Sequence, residues 1–112
     1  MKTLSCILFV AVWLFYIALV LGIFGPTHSP ITGDEPHYVL ATHSLVYDGD
    51  LDLRNNYENR DYAAFYGADL GYGHTALNKN GELFPAHEIG LSIISTIPYA
   101  LLGVMGIKLL MT

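Results

Sequence analysis

The chain of 112 residues has ten acidic and five basic side chains, a net charge of −5 at pH 7, and 53% hydrophobic residues. Its negative charge argues against nucleic-acid binding, because it repels phosphates. The lone Cys6 excludes an intramolecular disulfide. The hydrophobic residues gather at the two ends of the chain and do not recur periodically through it. This distribution predicts an integral membrane protein and not one soluble core.

The first apolar stretch has 21 uncharged residues, from Leu4 to Phe24. At about 1.5 Å per residue it is long enough, as a helix, to cross a hydrocarbon layer of about 30 Å. We predict that residues 1–25 form a first transmembrane helix. The alternative is that the first 25 residues are a cleaved signal peptide, with Lys2 as its minimal basic region. The apolar run exceeds the usual length of about 7 to 15 residues, and Gly22 to Pro26 is a poor cleavage site.

Charge sets the expected orientation of the chain. Residues 25–88 contain all ten acidic residues, all five histidines and three basic residues, a net charge of −7. The two remaining basic residues, Lys2 and Lys108, flank the outer ends of the apolar stretches. The positive-inside rule then places both termini in the cytoplasm. We predict a multi-pass protein of the inner (cytoplasmic) membrane whose acidic loop, residues 26–85, is external.

A short helix is predicted soon after the first membrane helix. The prolines and glycines of residues 25–33 disfavour helix there. Asp34 is well placed as an N-cap, with Pro36 tolerated in the first turn. Tyr38, Ala41 and Leu45 then recur on one face. The pattern predicts an amphipathic helix over about 34–47 that lies near the membrane surface.

The rest of the loop gives weaker signals. Residues 61–75 indicate irregular structure held by aromatic contacts, and Asn80-Gly81 indicates a hairpin turn between residues 76–77 and 83–84. Asp48, Asp50 and Asp52 imitate the start of a calcium loop. The match then fails, because residues 53 and 59 are not the glycine and glutamate that such a loop needs. A solvated turn is the preferred interpretation.

The second apolar stretch begins after Pro85. We predict a second transmembrane helix over 86–102, followed by a cytoplasmic turn and the truncated start of a third helix over 103–112. This interpretation leaves Lys108 at the water interface. A single kinked span over the whole stretch is the alternative. The predicted fold class is mainly α, membrane: two spanning helices, the start of a third, and an external loop with a short interfacial helix.

Adjacent carboxylates, Asp34 and Glu35, are the most informative residues. They are not needed for spanning, and carboxylates close to lipid carry a desolvation cost, so they suit a base or a metal ligand. Capping and solvation at a helix start are the structural alternative. His37 follows Asp34 by three residues and can share its face, and His87 can return to the same interface. His43 and His74 are predicted to be interfacial or surface histidines.

The segment 33–38, Gly-Asp-Glu-Pro-His-Tyr, follows the first apolar helix, and Asp-Gly-Asp-Leu-Asp-Leu-Arg-Asn-Asn-Tyr follows at 48–57. With the run from Gly81 to Leu91 and the segment 98–103, these residues resemble the start of bacterial C-type, polyprenyl-phosphate-dependent glycosyltransferases. That family includes protein O-mannosyltransferases and the aminoarabinose transferase that modifies lipid A. Complete members have roughly a dozen helices, so the resemblance implies an N-terminal fragment that is inactive alone.

The resemblance implies that Asp34 is the catalytic carboxylate facing the acceptor, and that the donor is a lipid-linked sugar in the bilayer. We predict that Glu35, His37 and His87 bind substrate, and that a divalent metal is possible, with Glu35 as its ligand. A phosphate leaving group needs a cation, and this segment offers few. A small non-catalytic membrane subunit or scaffold is the alternative function, and an ion-binding or transport accessory protein is a third.

Overall fold

A computed structural model gives the fold and describes residues 2–22 and 31–112. The described part of the chain is mainly helical, with one small antiparallel hairpin. In chain order its elements are α1 (Lys2–Val20), α2 (Glu35–Tyr47), α3 (Arg54–Glu58), β1 (Thr75–Leu77), β2 (Leu83–Pro85), α4 (Gly90–Leu102) and α5 (Val104–Leu110). Single 3-10 turns lie at Asp61–Ala64 and Tyr72–His74.

Helix α1 is apolar over Thr3–Val20, 18 residues, and is long enough to cross a membrane. Its 19 residues extend about 28 Å. None of that apolar window is buried inside the protein, and a signal sequence near an N-terminus can meet the same criteria of length and composition. The predicted end of this helix near residue 25, and most of the predicted turn that follows it, lie outside the described residues.

Helix α2 is the packing centre of the segment after α1. It runs over Glu35–Tyr47, close to the predicted 34–47, with Pro36 in its first turn. Seven of its thirteen residues are buried: Pro36, His37, Val39, Leu40, Ala41, Thr42 and Ser44. Helix α2 is buried on more than one side, because α4 packs along it and the segment 53–70 covers it elsewhere. The predicted helix had a single apolar face.

A small apolar core fills the space between α2 and the segment after it. Its buried members are Leu40, Leu53, Tyr57, Tyr62 and Leu70. The ring centroids of Tyr57 and Tyr62 are 6.2 Å apart, and those of Tyr57 and Tyr72 are 4.6 Å apart. Aromatic contacts therefore hold this part of the loop, as predicted, although two 3-10 turns give it more regular backbone than expected.

Asp52 has a structural role that the sequence did not indicate. Its Oδ1 accepts hydrogen bonds from the backbone N–H groups of Leu83 at 2.9 Å and of Arg54 at 3.3 Å. The N–H of Leu53 in turn donates to the carbonyl of Leu83 at 2.9 Å. The carboxylate therefore fastens β2 to the start of α3, and the prediction of a merely solvated turn at Asp52 is wrong.

The hairpin forms where the sequence predicts it. Thr75 pairs with Pro85 and Leu77 with Leu83, in antiparallel register. Gly81 has φ +79°, a conformation that glycine adopts without strain and that the turn requires. The Asn80-Gly81 signal is thus confirmed.

Helix α4 begins at Gly90, later than the predicted Ala86, and ends at Leu102, before Gly103, whose φ is +60°. The chain then folds back, so that a Cβ on Gly106 would overlap the carbonyl oxygen of Pro98. The thirteen residues of α4 extend about 20 Å, less than a hydrocarbon layer of about 30 Å. Its buried Ser92, Ser95 and Tyr99 lie on one side, which packs on α2.

The turn at Gly103 determines where Lys108 lies. The sequence prediction of a span over 86–102 and a cytoplasmic 103–112 separates Lys108 from Glu35 by a bilayer. In the structure α5 contacts α1, and Lys108 and Glu35 line one pocket. This arrangement differs from the predicted one, and the second span stays a prediction.

Candidate functional site

The hairpin brings two histidines together. The N–H of Ala86 donates to the carbonyl of His74 at 2.9 Å, which continues the β1–β2 pairing beyond Thr75 and Pro85. The rings of His74 and His87 consequently stack, with centroids 4.8 Å apart and an interplanar angle of 20°. Nδ1 of His74 and Nε2 of His87 are 2.7 Å apart. One of these nitrogens therefore carries a hydrogen and the other accepts it.

The first turn of α2 supplies a third histidine. The His37 ring lies 4.2 Å from that of His74 and 6.2 Å from that of His87, and its side chain is buried. Its Nδ1 pairs with the hydroxyl of Tyr57 at 3.1 Å. Burial first, then the nearby His74 and His87, lower the pKa of His37 to about 4, against the opposing effect of Asp34. His37 is therefore neutral at physiological pH.

Asp34 completes the group, which we call the Asp–His cluster: Asp34, His37, His74 and His87. Asp34 lies at the N-cap position of α2, yet within the described residues its side chain makes no capping hydrogen bond. Its Oδ1 instead lies 3.6 Å from Nδ1 of His74, and the carboxylate is 57% exposed. The preceding Gly33 has φ +60°, which turns the chain into the helix.

Three members of the Asp–His cluster could hold a metal ion. In the described ranges, the ligand atoms of Asp34, His74 and His87 all lie within 4.8 Å of one another. Glu35, the predicted metal ligand, is outside this group, and its Oε2 accepts from the backbone N–H of Thr32 at 3.4 Å.

Three of the four predicted site residues lie in the Asp–His cluster, and the fourth does not. Asp34, His37 and His87 come together, while Glu35 points to another part of the surface. His74, predicted to be a surface histidine, lies in the centre of the cluster. The signal that could have identified it is the predicted hairpin, since His74 and His87 flank its two strands. His43 pairs with Tyr99 at 3.0 Å, apart from the cluster.

A second feature lies beside Glu35. A pocket of about 520 Å³ separates the last turns of α1 from α5. It is lined by Tyr16, Leu19, Val20, Glu35, Ile107, Lys108, Met111 and Thr112. The lining is largely apolar, with one carboxylate and one ammonium group among the residues that the structure describes.

No family model, no curated protein and no solved structure matches this chain.

Proposed function

We propose that this chain is the N-terminal part of an integral-membrane glycosyltransferase, which moves a sugar from a lipid-phosphate carrier to an acceptor on the non-cytoplasmic side. The observation that carries the proposal is that the carboxylate of Asp34 makes no capping hydrogen bond in the part of the chain that the structure describes. A helix-capping aspartate uses its carboxylate to accept from the first turn. Asp34 occupies that position without this bond, and its exposed carboxylate faces the histidines. The carboxylate is therefore available for chemistry.

Asp34 is the general base in this proposal. It accepts a hydrogen bond from the acceptor hydroxyl or amine and takes its proton, while the acceptor atom forms a bond to the anomeric carbon. The bond from that carbon to the phosphate oxygen breaks, and the carrier phosphate leaves with the electron pair. A single displacement of this kind inverts the anomeric centre. His37 and His87 flank the acceptor position, where ring nitrogens can orient it.

The pocket between α1 and α5 supports a position for the donor. Its apolar lining suits a polyprenyl chain that enters from the bilayer. Lys108 at the same pocket offers positive charge to a phosphate, which the sequence had indicated to be scarce in this segment. Glu35 lines this pocket and also follows Asp34 directly, so donor and acceptor positions would be adjacent.

The test is a transfer assay in membranes that contain the full-length protein carrying this segment. Radiolabelled polyprenyl-phosphate mannose and polyprenyl-phosphate aminoarabinose serve as donors, and the label that leaves the carrier is measured. Asp34→Asn keeps the size of the side chain and removes its charge, so we expect the rate to fall about 100-fold or more. Glu35→Gln should have a smaller effect.

Glu58→Gln is the matched control, because Glu58 is an exposed carboxylate of α3 outside the Asp–His cluster. It should leave transfer unchanged. Normal transfer by Asp34→Asn would overturn the proposal. A small non-catalytic membrane subunit with an acidic external loop would then be the better interpretation.

A further inference from the structure

We infer that Asp34, His74 and His87 form a binding site for one late transition-metal dication, with zinc as the reference ion. Two imidazole nitrogens and one carboxylate oxygen are a ligand set typical of Zn²⁺, Co²⁺ and Ni²⁺, whereas Mg²⁺ and Ca²⁺ prefer oxygen alone. The three ligand atoms converge within 4.8 Å. They come from distant parts of the chain, since the α2 start supplies one and the two ends of the hairpin supply the others.

The ligand atoms are close enough to hold a tetrahedral ion once their side chains rearrange. Ligands at about 2.0–2.1 Å from zinc lie about 3.3 Å from one another. The nitrogens of His74 and His87 are 2.7 Å apart, and Asp34 Oδ1 is 3.6 Å from His74 Nδ1. The first separation must widen by about half an ångström and the second must shorten by a few tenths, while the third, between Asp34 and His87, is at most 4.8 Å and also closes on the ion. A bound ion would replace the hydrogen bond between His74 and His87, and each neutral ring would then carry its hydrogen on the nitrogen that does not face the ion.

The surroundings also suit a bound ion. A small cavity of about 10 Å³ is lined in part by His37, His74, His87 and Glu88. This volume is close to what a single water-sized species needs. The half-exposed carboxylate of Asp34 leaves one side open, so a fourth position is accessible to water or to a phosphate oxygen. In the proposed transferase, such an ion would bind Oδ1 of Asp34, leave Oδ2 for the acceptor, and add the positive charge that a phosphate leaving group needs, a consequence that rests on that proposal.

The experiment measures binding and not transfer, so its outcome is independent of the proposed function. The full chain in detergent micelles is treated with EDTA, dialysed and titrated with ZnCl₂ by isothermal titration calorimetry. We expect one ion per chain. His74→Gln and His87→Gln should each weaken binding at least about 10-fold, as should Asp34→Asn. His43→Gln is the matched control, since His43 lies outside the cluster on the same helix as His37, and it should bind within twofold of wild type.

A second readout does not depend on the variants. Co²⁺ added to the wild-type chain should give the visible absorption bands of a four-coordinate site, and MgCl₂ should give no heat of binding. Circular dichroism checks that each variant keeps its helices. The inference is overturned if the wild type fails to bind zinc below about 1 mM. It is equally overturned if the His74→Gln, His87→Gln double variant binds like the wild type.

Discussion

The imidazole Nδ1 of His37 and the hydroxyl of Tyr57 lie 3.1 Å apart, in a buried hydrogen bond that joins α2 to α3. Burial, and then the neighbouring Tyr72 and Tyr62, raise the pKa of Tyr57 to about 12. The bond fixes the ring of His37, and His37 in turn packs against His74. The geometry of the Asp–His cluster therefore depends on a tyrosine that lies outside it.

Tyr57→Phe should lower the free energy of unfolding at neutral pH by about 1 kcal/mol, because one buried hydrogen bond is lost. The pKa of Tyr57 rises on folding from 10.0 to about 12, so its stabilising contribution is complete below pH 10 and is lost as the pH rises towards 12. The free energy of unfolding, measured by urea unfolding and circular dichroism, should therefore fall less steeply between pH 10 and pH 12 for the variant than for the wild type. Tyr47→Phe, which removes a hydroxyl from an exposed ring, is the control. An equally steep decline in Tyr57→Phe would contradict the assignment.

Asp52 provides a second test of the packing. Asp52→Ala removes the acceptor for the N–H of Leu83 and of Arg54. We expect the free energy of unfolding to fall by about 1.5–3 kcal/mol, the range for a hydrogen bond to a charged group. Amide hydrogen exchange at Leu83 should also accelerate. Glu58→Ala, at an exposed position of α3, should change stability by less than about 0.5 kcal/mol. Equal stability of the two variants would restore the solvated-turn interpretation of Asp52.

The close approach of α5 to α4 is tested by a pair of glycine substitutions. Gly106→Ala would force a methyl group into the carbonyl of Pro98, so the two helices must separate. We expect a loss of about 1–3 kcal/mol, as for other overpacked positions. At Gly90 a Cβ meets nothing within 4 Å, so Gly90→Ala should be neutral or slightly stabilising. Thermal unfolding of both variants provides the comparison, and a Gly106→Ala protein as stable as wild type would contradict the close packing of α5 on α4.

Local sequence signals predicted the local structure. Pro36 in a first turn and the Asn80-Gly81 pair each act within a few residues, and α2 and the hairpin form at those positions. The apolar run near the N-terminus likewise predicted α1. Each of these signals acts within one short segment and needs no contact with a distant part of the chain.

The cluster was less predictable because it depends on distant contacts. His74 lies forty residues after Asp34 and meets it only because Ala86 pairs with His74 and α2 packs against the hairpin ends. Asp52 shows the same limit, since its partner Leu83 is thirty-one residues away. The position of Lys108 depends on the direction in which the chain leaves Gly103, and the glycine itself does not specify that direction.

The central claim is that the Asp34 carboxylate serves sugar transfer and does not cap α2. The most direct measurement is the rate of transfer by Asp34→Ala in membranes that contain the full-length protein, with the protein level and helix content checked on the same preparation. Alanine removes both the base and any capping acceptor. The account predicts a rate lower by about 100-fold or more, with helix content unchanged. Transfer at the wild-type rate, or a loss of rate only in proportion to a loss of folded protein, would contradict it.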